Sequence, residues 1–519
     1  MAVMDFFDRG WKQNPRGVAY VMDDRTWSYN EAGALTCQIG HALCATPLPQ
    51  GAKVAVLSPN DPIAWMCVIG TWRAGMVWVP LNPSSPLAEN QQLIDSFDCE
   101  ALFYHSSMSK MVESLREALP QLTVLVSIDH NDFGDAELAD WTREFPTKPP
   151  AVPFEMDDVV AIAPTGGTTG LPKGVMNTHR SFGTAFAHLT LAFHYDADWP
   201  IVNLAAAPMT HTSGILSMPA TARGGTVVVL ARPELAKVAA AIEQYKITEL
   251  FLPPTVIYRF LEYLEDHEHD FGSLRYFVYG SAPMSTEKLK QAIKVFGPVM
   301  TGAYGQMESP ASISYLRPEE HVGRGSVPTD TRLASCGRPY PLIAVEIQDD
   351  EGRQVPVGEA GEICVRGDTL MKGYYKDPEK TAQTIFNGWL HTGDVGHFDE
   401  EGYLYITDRK KDMIISGGFN VFPSEVEQVL WAHPEVAECA VIGTPHPDWG
   451  EAVTAVVELR LGAPDTSEEE LIAWCRERLG SIRAPKAVHI RSELPRSVNG
   501  KVMKKDIRAE YWHSAGRRI

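Results

Sequence analysis

The sequence lacks features that mark several classes of protein. Its eight cysteines are scattered along 519 residues, and no two of them have C-x-x-C spacing. The opening run MAVMDFFDRGWKQNP contains acidic residues and no long apolar stretch, so we expect no signal peptide. There is also no internal repeat and no low-complexity linker. A chain of this length needs no disulfide staples, so these absences favour a reduced, cytoplasmic protein whose cysteines are small core residues.

Positive charge is also scarce. The chain has 46 Lys and Arg against 66 Asp and Glu, a net charge of −20. An acidic surface repels phosphates, so we expect no nucleic-acid partner. The most apolar segment, residues 64–81, contains Arg73, Gly75 and Pro80. It therefore predicts a buried helix followed by a strand, and no integral membrane segment is expected.

The order of apolar and polar runs predicts an α/β protein with more than one domain, because 519 residues exceed one compact core. The first 330 or so residues alternate β-rich and helical stretches, which predicts largely parallel sheets covered by helices. The predicted strands are 53–59, 76–82, 101–107, 122–129, 159–165, 225–230 and 274–280, with a helix over 61–74.

The later part of the chain has a different pattern. Two alternating runs around turn-forming Asp, Gly and Pro predict an antiparallel β subdomain at about 338–408. The charged run DRKKDM follows, and residues 410–519 have their own α/β pattern. We therefore predict a large N-terminal domain over 1–409 and a small, mobile C-terminal domain over 410–519, joined by a short hinge.

The most informative motif is Thr-Gly-Gly-Thr-Thr-Gly-Leu-Pro-Lys-Gly at residues 165–174, after an apolar strand-like run. Glycines let backbone N–H groups turn toward an anion, while threonine hydroxyls and one lysine add donors and charge. The spacing differs from a Walker P-loop, because the lysine is followed by Gly174 and not by Ser or Thr. A flexible surface turn is the alternative interpretation. The candidate phosphate-binding residues are Thr165, Gly166, Gly167, Thr168, Thr169, Gly170 and Lys173.

This string resembles the signature loop of the adenylate-forming superfamily, which contains acyl-CoA synthetases, adenylation domains of peptide synthetases and luciferase-like enzymes. The resemblance covers nearly the whole chain. The family usually has Ser where this chain has Gly167, so one hydroxyl donor is lost here. We identify the chain as a member of the acyl-CoA synthetase branch.

Further motifs resemble the family in order and spacing. Gly280-Ser281-Ala282-Pro283 resembles a strand-end turn against adenine, and Tyr304-Gly305-Gln306-Met307-Glu308 resembles the next nucleotide motif. The resemblance implies that Tyr304 stacks on adenine and that Glu308 holds Mg²⁺, with Thr165 as the second predicted metal-site residue. A hard cation of this kind prefers oxygen ligands. Where the family usually has a Thr that bonds the α-phosphate, this chain has Met307, which cannot donate a hydrogen bond.

Five residues resemble family positions for ribose binding and catalysis. Asp394 corresponds to the ribose-binding carboxylate, Arg409 to an arginine that reaches the ribose or phosphate, and Lys411 to the hinge residue between the two domains. Lys501, after the turn-forming pair Asn499-Gly500, corresponds to the catalytic lysine. His211 corresponds to a residue that borders the carboxylate pocket.

The acceptor side also resembles acyl-CoA synthetases. Residues 415–420, Ile-Ser-Gly-Gly-Phe-Asn, resemble the segment that lines the pantetheine tunnel. Trp449 and Arg483 correspond to regions that meet the CoA nucleotide in some relatives. The acceptor-binding candidates are therefore Gly417, Gly418, Phe419 and Trp449.

The expected activity is an ATP-, Mg²⁺- and CoA-dependent ligase for a monocarboxylic acid of aryl, alicyclic or medium-chain type. Acyl-AMP and pyrophosphate form first, and acyl-CoA and AMP follow. One alternative is a stand-alone adenylation enzyme that loads a separate carrier protein, because only 18 residues follow Lys501 and a fused carrier is not expected. Others are a luciferase-like oxygenase and a non-catalytic nucleotide-binding protein. A homodimer is left open.

Overall fold

The computed structural model describes residues 1–130, 135–165, 173–196, 198–322, 330–410, 412–416, 418–447, 449–460, 462, 466–496 and 502–514. Its α-helices are α1 (Met4–Gln13), α2 (Tyr29–Cys44), α3 (Pro62–Arg73), α4 (Leu87–Ser96), α5 (Ser109–Ala118), α6 (Leu138–Thr142), α7 (His179–Ala192), α8 (Gly214–Ala222), α9 (Leu235–Tyr245), α10 (Pro254–Leu264), α11 (Thr286–Phe296), α12 (Pro318–Val322), α13 (Asp330–Leu333), α14 (Pro378–Thr384), α15 (Pro423–Trp431), α16 (Glu468–Arg483) and α17 (Lys504–Ser514). Two short turns of other helix type cover Ser106–Met108 and Met209–Ser213.

The strands of the larger, N-terminal part are β1 (Val18–Met22), β2 (Arg25–Ser28), β3 (Lys53–Leu57), β4 (Val77–Pro80), β5 (Cys99–Tyr104), β6 (Val124–Ser127), β7 (Ala136–Glu137), β8 (Val159–Thr165), β9 (Lys173–Thr178), β10 (Val202–Ala205), β11 (Thr226–Val229), β12 (Glu249–Phe251), β13 (Tyr276–Gly280), β14 (Met300–Gln306), β15 (Ser309–Leu316) and β16 (Arg338–Pro339). They are followed by β17 (Ile343–Gln348), β18 (Gly361–Gly367), β19 (Gly373–Tyr374), β20 (Ile385–Phe386), β21 (Trp389–Phe398), β22 (Leu404–Arg409), β23 (Ile414–Ser416), β24 (Phe419–Val421), β25 (Val436–His446), β26 (Gly450–Leu459) and β27 (Ala487–Arg491).

Two large sheets form the N-terminal part. One has nine strands in the order β16-β15-β14-β13-β12-β10-β11-β1-β2, and it is parallel from β14 to β1. The other has eight strands in the order β19-β9-β8-β4-β3-β5-β6-β7, and it is parallel from β8 to β7. The predicted strands and the helix over 61–74 all occur, as β3, β4, β5, β6, β8, β11, β13 and α3.

Two smaller sheets complete the fold. The antiparallel sheet β17-β18-β21-β20, with β22 paired to β21, lies where the β subdomain was predicted. A separate sheet, β24-β23-β26-β25 with β27 parallel to β26, carries the helices of the last hundred or so residues. The α/β fold class is therefore confirmed. The boundary at residue 410 and the mobility of the part beyond it stay predictions.

Helix α3 shows why the most apolar segment is buried. Asp61 accepts a hydrogen bond from the Ile63 backbone N–H, and Pro62 occupies the first turn, so the helix begins where capping rules place it. Its residues pack into one core cluster, in which Trp65 and Trp72 meet edge to face with ring centroids 5.6 Å apart. In the described ranges, no helix is both long and apolar enough to cross a membrane.

The cysteines agree with the core interpretation in most cases. All eight lie within the described part of the chain, all are unpaired, and six are buried. Burial raises the pKa of the Cys364 thiol to about 12 and that of the Cys475 thiol likewise. A thiol with a raised pKa is a poor nucleophile, so these two have the character of core residues.

Candidate nucleotide and acceptor site

The loop predicted to bind phosphates connects two paired strands. β8 and β9 are antiparallel, and Thr165 is the Cα partner of Lys173. The predicted residues between them, Gly166, Gly167, Thr168, Thr169 and Gly170, lie outside the described residues. The two ends of the loop, Thr165 and Lys173, are therefore held next to each other.

A tyrosine connects the end of this hairpin to the predicted metal-site carboxylate. The Tyr374 hydroxyl donates to Glu308 Oε1 at 2.8 Å, and Lys173 Nζ lies 5.1 Å from the centroid of the Tyr374 ring. Burial, and then the charge of Glu308, raise the pKa of the Tyr374 hydroxyl, so it remains a neutral donor. The structure thus brings Lys173 and Glu308 to the same aromatic residue, Glu308 at its hydroxyl and Lys173 over its ring.

The predicted adenine-side turn lies at the carboxyl end of β13, next to β14. Gly280 pairs with Ala303, and a Cβ at Gly280 would lie 2.4 Å from the Ala303 carbonyl oxygen. Ser281 follows with φ of 68°, in the left-handed region, which turns the chain sharply before Ala282. Carboxyl ends of parallel strands are where α/β proteins bind ligands, so the position agrees with the predicted role.

The second nucleotide motif ends β14 and enters a tight turn. Gly305 is closely approached by the antiparallel neighbour β15, since a Cβ there would lie 2.7 Å from Ala311 Cα. Met307 packs against an apolar cluster that includes Val175 and Ile313, and its carbonyl accepts a hydrogen bond from Asn177 Nδ2 at 3.2 Å. The methionine therefore has a packing role, whatever its effect on the α-phosphate.

Asp394 is the centre of a buried polar cluster. It is only 4 % exposed, and its Oδ2 accepts hydrogen bonds from the Tyr304 hydroxyl and from Gln306 Nε2, both at 2.7 Å. Arg409 Nε lies 3.1 Å from Asp394 Oδ1. Gln306 Nε2 also donates to the Thr392 carbonyl at 3.0 Å. Four predicted nucleotide-binding residues, far apart in the sequence, are thus joined in one network.

The cluster has a chemical consequence. A carboxylate offers roughly four acceptor positions; two hydrogen bonds take two of those of Asp394, and Arg409 Nε forms an ion pair at Oδ1. Burial, and then the charge of Asp394, raise the pKa of the Tyr304 hydroxyl, which keeps that group a donor. The positions left for the two ribose hydroxyls predicted to bind Asp394 are therefore on the Oδ1 side, where the half-exposed Arg409 lies.

The turn that carries His211 is anchored from below. Residues Met209–Ser213 form one irregular helical turn before α8, and the side chain of His211 is outside the described set. The Met209 backbone N–H donates to Asn60 Oδ1 at 2.7 Å. Asn60 Nδ2 in turn donates to the carbonyls of Ala205 and Leu230 at 2.9 and 2.8 Å. A buried asparagine thus ties this turn to β10 and to the end of β11.

The acceptor-side candidates lie on an open surface. Gly418 has φ of 83°, a Cβ added to it would have no atom within 4 Å, and Phe419 is 56 % exposed. Trp449 is 40 % exposed and stacks on His446 with ring centroids 4.3 Å apart. Lys486 Nζ lies 5.5 Å from the Trp449 ring, while Arg483 pairs with Glu425 at 3.1 Å. Lys411, Gly417 and Lys501 fall outside the described residues.

Helix α15 connects this later part of the chain to the nucleotide-binding part. The Ser424 backbone N–H donates to Asp408 Oδ2 at 2.9 Å, and Gln428 Nε2 donates to the Met284 carbonyl at 3.1 Å. In the same helix, buried Glu427 accepts from Lys504 at 2.7 Å. Burial raises the pKa of Asp408 and of Glu427.

Sequence reasoning missed two residues of this site. Tyr374 lies in a Gly-Tyr-Tyr run whose composition does not distinguish it from a turn, and Asn60 is one polar residue after a strand. The usable signal for Asn60 was its position just past the carboxyl end of a predicted parallel strand. For Tyr374, only the pairing of β19 with β9 reveals the contact.

Comparison with known proteins agrees with this geometry. The family "AMP-binding enzyme" matches residues 7–375, and "AMP-binding enzyme C-terminal domain" matches residues 425–501. A medium/long-chain-fatty-acid–CoA ligase of Mycobacterium tuberculosis is 37% identical over 492 residues, which is 90% of this chain and 83% of that protein. A fatty acid–acyl-carrier-protein ligase of Streptomyces coeruleorubidus is 32% identical over 98% of this chain and 96% of its own length.

A solved structure has the same fold over nearly the whole chain. The amide bond synthetase from Marinactinospora thermotolerans superposes with a TM-score of 0.87 at 31% identity, over 98% of this chain and 100% of that one. The fold and the match over residues 7–375 place the chain in the AMP-binding, adenylate-forming enzyme family. Within the family it belongs to the carboxylate–CoA ligases, AMP-forming acid–thiol ligases that use ATP and CoA. The predicted family and reaction class are confirmed.

Proposed function

We propose that this ligase performs both half-reactions at the cleft between β13, β14 and the β8–β9 hairpin. The carboxylate of the acid attacks the α-phosphorus of ATP, and pyrophosphate leaves with the electron pair of the broken P–O bond. The CoA thiol then attacks the acyl carbon of the mixed anhydride and displaces AMP. The observation that carries the proposal is the buried Asp394 cluster, which joins the nucleotide motif at Tyr304 and Gln306 to Arg409.

Positioning and charge neutralisation account for the first half-reaction in this proposal. Lys173 and the loop that begins after Thr165 hold the departing pyrophosphate, since loop and lysine share one hairpin end. Lys501 bridges the attacking carboxylate and the α-phosphate. Asp394 and Arg409 hold the ribose, and the strand-end turn at Gly280, where the missing Cβ lets β13 lie close to Ala303, meets the adenine. His211 borders the acid's carboxylate.

The residues around Glu308 fit a magnesium ion that arrives with the nucleotide. Glu308 uses one carboxylate oxygen, Oε1, for Tyr374. Among the described residues there is no group of three or more His, Cys, Asp or Glu side chains that could hold a metal by themselves. Mg²⁺ commonly takes one or two protein carboxylates and completes its shell with phosphate oxygens and water, so a single glutamate suits it. When bound, the ion would neutralise part of the polyphosphate charge.

Free CoA is the proposed acceptor. The open surface at Gly418 and Phe419 leaves room for a thin chain, and Trp449 offers an aromatic face beside the cation of Lys486. An aromatic face with a nearby cation suits an adenine nucleotide that carries phosphates. After adenylation, the C-terminal part rotates about Lys411, which removes Lys501 and brings Gly417 and Gly418 to the acyl-AMP. A carrier-protein thiol is the second candidate, because one relative is named as a carrier-protein ligase.

The proposed acid is a monocarboxylic acid of medium-chain, aryl or alicyclic type. The two relatives described above carry fatty-acid names, which supports the medium-chain option. The six buried, unpaired cysteines suit a reducing compartment, so we also propose a cytoplasmic location.

The deciding experiment is AMP release with and without CoA across a panel of medium-chain, aryl and alicyclic acids. We expect release that depends on both the acid and CoA, with the acyl-CoA detected by mass. Release that depends on an acid but never on CoA would remove CoA as acceptor and leave adenylation. A carrier protein in place of CoA, with a serine-to-alanine carrier as its control, then tests the second candidate. A protein that releases no AMP with any acid would contradict the whole proposal.

A further inference from the structure

Segment 371–375 connects the two hairpins that carry the phosphate-end residues. The Met371 backbone N–H donates to the Glu308 carbonyl at 2.8 Å, which fixes the turn between β14 and β15. The Lys372 and Tyr375 backbone N–H groups donate to the carbonyls of Met176 and Gly174 at 2.8 and 2.7 Å, along β9. One short segment therefore sets the distance between the Glu308 turn and the end of the β8–β9 hairpin.

The Tyr374 side chain lies in the middle of this bridge. The residue is buried in an apolar cluster with Val175 and Met371, and its hydroxyl points to Glu308 Oε1 at 2.8 Å. Lys173 Nζ lies 5.1 Å from its ring centroid. One side chain thus contacts both the predicted metal-site carboxylate and the predicted phosphate-binding lysine.

The backbone around Tyr374 leaves it little freedom. Its N–H donates to Thr381 Oγ1 at 2.9 Å, in α14. Gly373 has φ of 144°, and a Cβ there would lie 2.8 Å from Thr381 Cγ2, so the preceding position excludes larger residues. A backbone hydrogen bond, apolar packing and the hydroxyl contact with Glu308 together fix the position of the Tyr374 ring.

We propose that Tyr374 is a positioning residue that orients the Glu308 carboxylate for the Mg²⁺ of bound MgATP. The hydroxyl occupies Oε1 and so leaves Oε2 as the oxygen available to the ion. Groups that orient a metal-ligating carboxylate commonly contribute roughly 10- to 100-fold to metal affinity. The ring also limits where the Lys173 ammonium can lie. This inference rests on the proposed nucleotide site, and it assigns Tyr374 no contact with the reacting atoms.

The test is the variant Tyr374→Phe, which keeps the ring, its packing and the Lys173 contact and removes only the hydroxyl. ATP binding is measured by isothermal titration calorimetry over a series of Mg²⁺ concentrations and in excess EDTA. We expect the Mg²⁺ concentration for half-maximal tightening of ATP binding to rise roughly tenfold. Binding of ATP in EDTA should stay as in the unsubstituted protein, since the lysine and the ring remain.

The neighbouring residue gives a matched control. Tyr375 also donates its hydroxyl to a carboxylate, Asp98 Oδ2 at 2.7 Å, but this pair faces the exposed Lys376 and not the nucleotide site. Tyr375→Phe therefore loses the same kind of bond and should leave the Mg²⁺ dependence unchanged. A second check uses Glu308→Gln, on which Tyr374→Phe should have no further effect if the hydroxyl acts through that carboxylate.

Three results would overturn the inference: an unchanged Mg²⁺ dependence in Tyr374→Phe, equal shifts in both tyrosine variants, or an equal loss of ATP affinity with and without Mg²⁺. In each case the unsubstituted protein still binds MgATP, so the proposed function stands. If the unsubstituted protein does not bind MgATP, the proposed function fails and the inference fails with it. Circular dichroism melting of each variant shows whether the fold is retained.

Discussion

The residues proposed for the nucleotide side and for the acceptor side of this ligase differ in burial and in contacts. Asp394 is 4 % exposed and is contacted by Tyr304, Gln306 and Arg409. Phe419 is 56 % exposed, and nothing lies within 4 Å of a Cβ placed on Gly418. The first set is preorganised by its own neighbours, which lowers the entropy cost of binding a nucleotide. In the second set, Gly418 and Phe419 present an exposed surface, which is the surface proposed to receive the acceptor.

Helix α15 lies between the two sets and contacts the nucleotide side. Its Ser424 and Gln428 bond to Asp408 and to the Met284 carbonyl. These contacts would break in a rotation about Lys411, so they stabilise the orientation described here, in which the Gly418 segment is exposed. The contrast between a preformed nucleotide side and an open acceptor side leads to four predictions.

The largest effect is expected for Lys501→Ala. A positioned charge at a developing phosphate charge contributes on the order of 10²–10³ in rate. Adenylate formation, measured as pyrophosphate exchange into ATP, should fall by that factor. Thioester formation from supplied acyl-AMP should be spared, because the lysine acts only on the nucleotide side. Lys505→Ala, at an exposed neighbouring lysine, is the control. Equal losses in both half-reactions would contradict the division between the two sides, and no loss would show that Lys501 is not catalytic.

The second prediction compares Asp394→Ala with Phe419→Ala. Removal of the buried carboxylate takes one acceptor from the Tyr304 hydroxyl and leaves the Gln306 amide only the Thr392 carbonyl, which costs about 2 kcal/mol of unfolding free energy. Removal of the exposed phenylalanine should change it by less than about 0.5 kcal/mol. Urea denaturation measures the unfolding free energy of each variant, and ATP titration measures its affinity for ATP. Similar losses in the two variants would show that the nucleotide side is no more preorganised than the acceptor side.

The third prediction uses acid. Burial lowers the pKa of His321 and of His179 to about 4, both in the nucleotide-binding part. A histidine with a lowered folded pKa contributes stability that is complete above its unfolded pKa of about 6.5 and is lost as pH falls toward 4. At pH 5, protonation of each histidine lowers the free energy of unfolding by about 2 kcal/mol. Burial raises the pKa of Glu427 and Glu438, so the part that contains β25 gains stability as pH falls through their folded pKa values.

Hydrogen–deuterium exchange at pH 7 and pH 5, corrected for intrinsic rates, separates the two parts of the chain. Peptides from α7 and α12, which contain His179 and His321, should lose protection at pH 5, and peptides from β25 and β26 should not. The variant His321→Gln removes one titrating side chain, so it should lose less protection between pH 7 and pH 5. Equal losses of protection in the two parts of the chain would contradict the assignment of acid sensitivity to His179 and His321.

The smallest effect is expected for Gly418→Ala. An added Cβ meets open space, but φ of 83° is disfavoured for alanine, so the cost is about 1 kcal/mol. ATP binding should not change. The CoA-dependent half-reaction should slow, because the methyl group narrows the approach for a thin chain. Gly462→Ala, which has φ of 85° and equally open surroundings, is the control for backbone strain alone. If both variants slow the CoA-dependent half-reaction equally, Gly418 does not lie on the path of the acceptor.

Much of the fold could be predicted from the sequence because its signals are local. The run KVAVL, the capped helix after Asp61 and the apolar run before Thr165 each predict their element from a few adjacent residues. The motifs carried the family and the reaction class. The roles of the individual site residues stay predictions, and several of them, including Lys411 and Lys501, lie outside the described residues.

The contacts between distant residues could not be predicted in the same way. Tyr304 and Asp394 are 90 residues apart, and their bond depends on how β21 and β14 are brought together. Tyr374 reaches Glu308 only because β19 is added to the edge of β9. Asn60 supports the His211 turn across 149 residues through Met209.

The sequence by itself therefore determined the class of enzyme and the inventory of its chemical groups, because spacing within a motif is a local property. The tertiary structure decided which of those groups meet, which carboxylate oxygens are already occupied, and which side of the site is left open. Those properties depend on strand order and on burial, which arise only when segments far apart in the chain pack against one another.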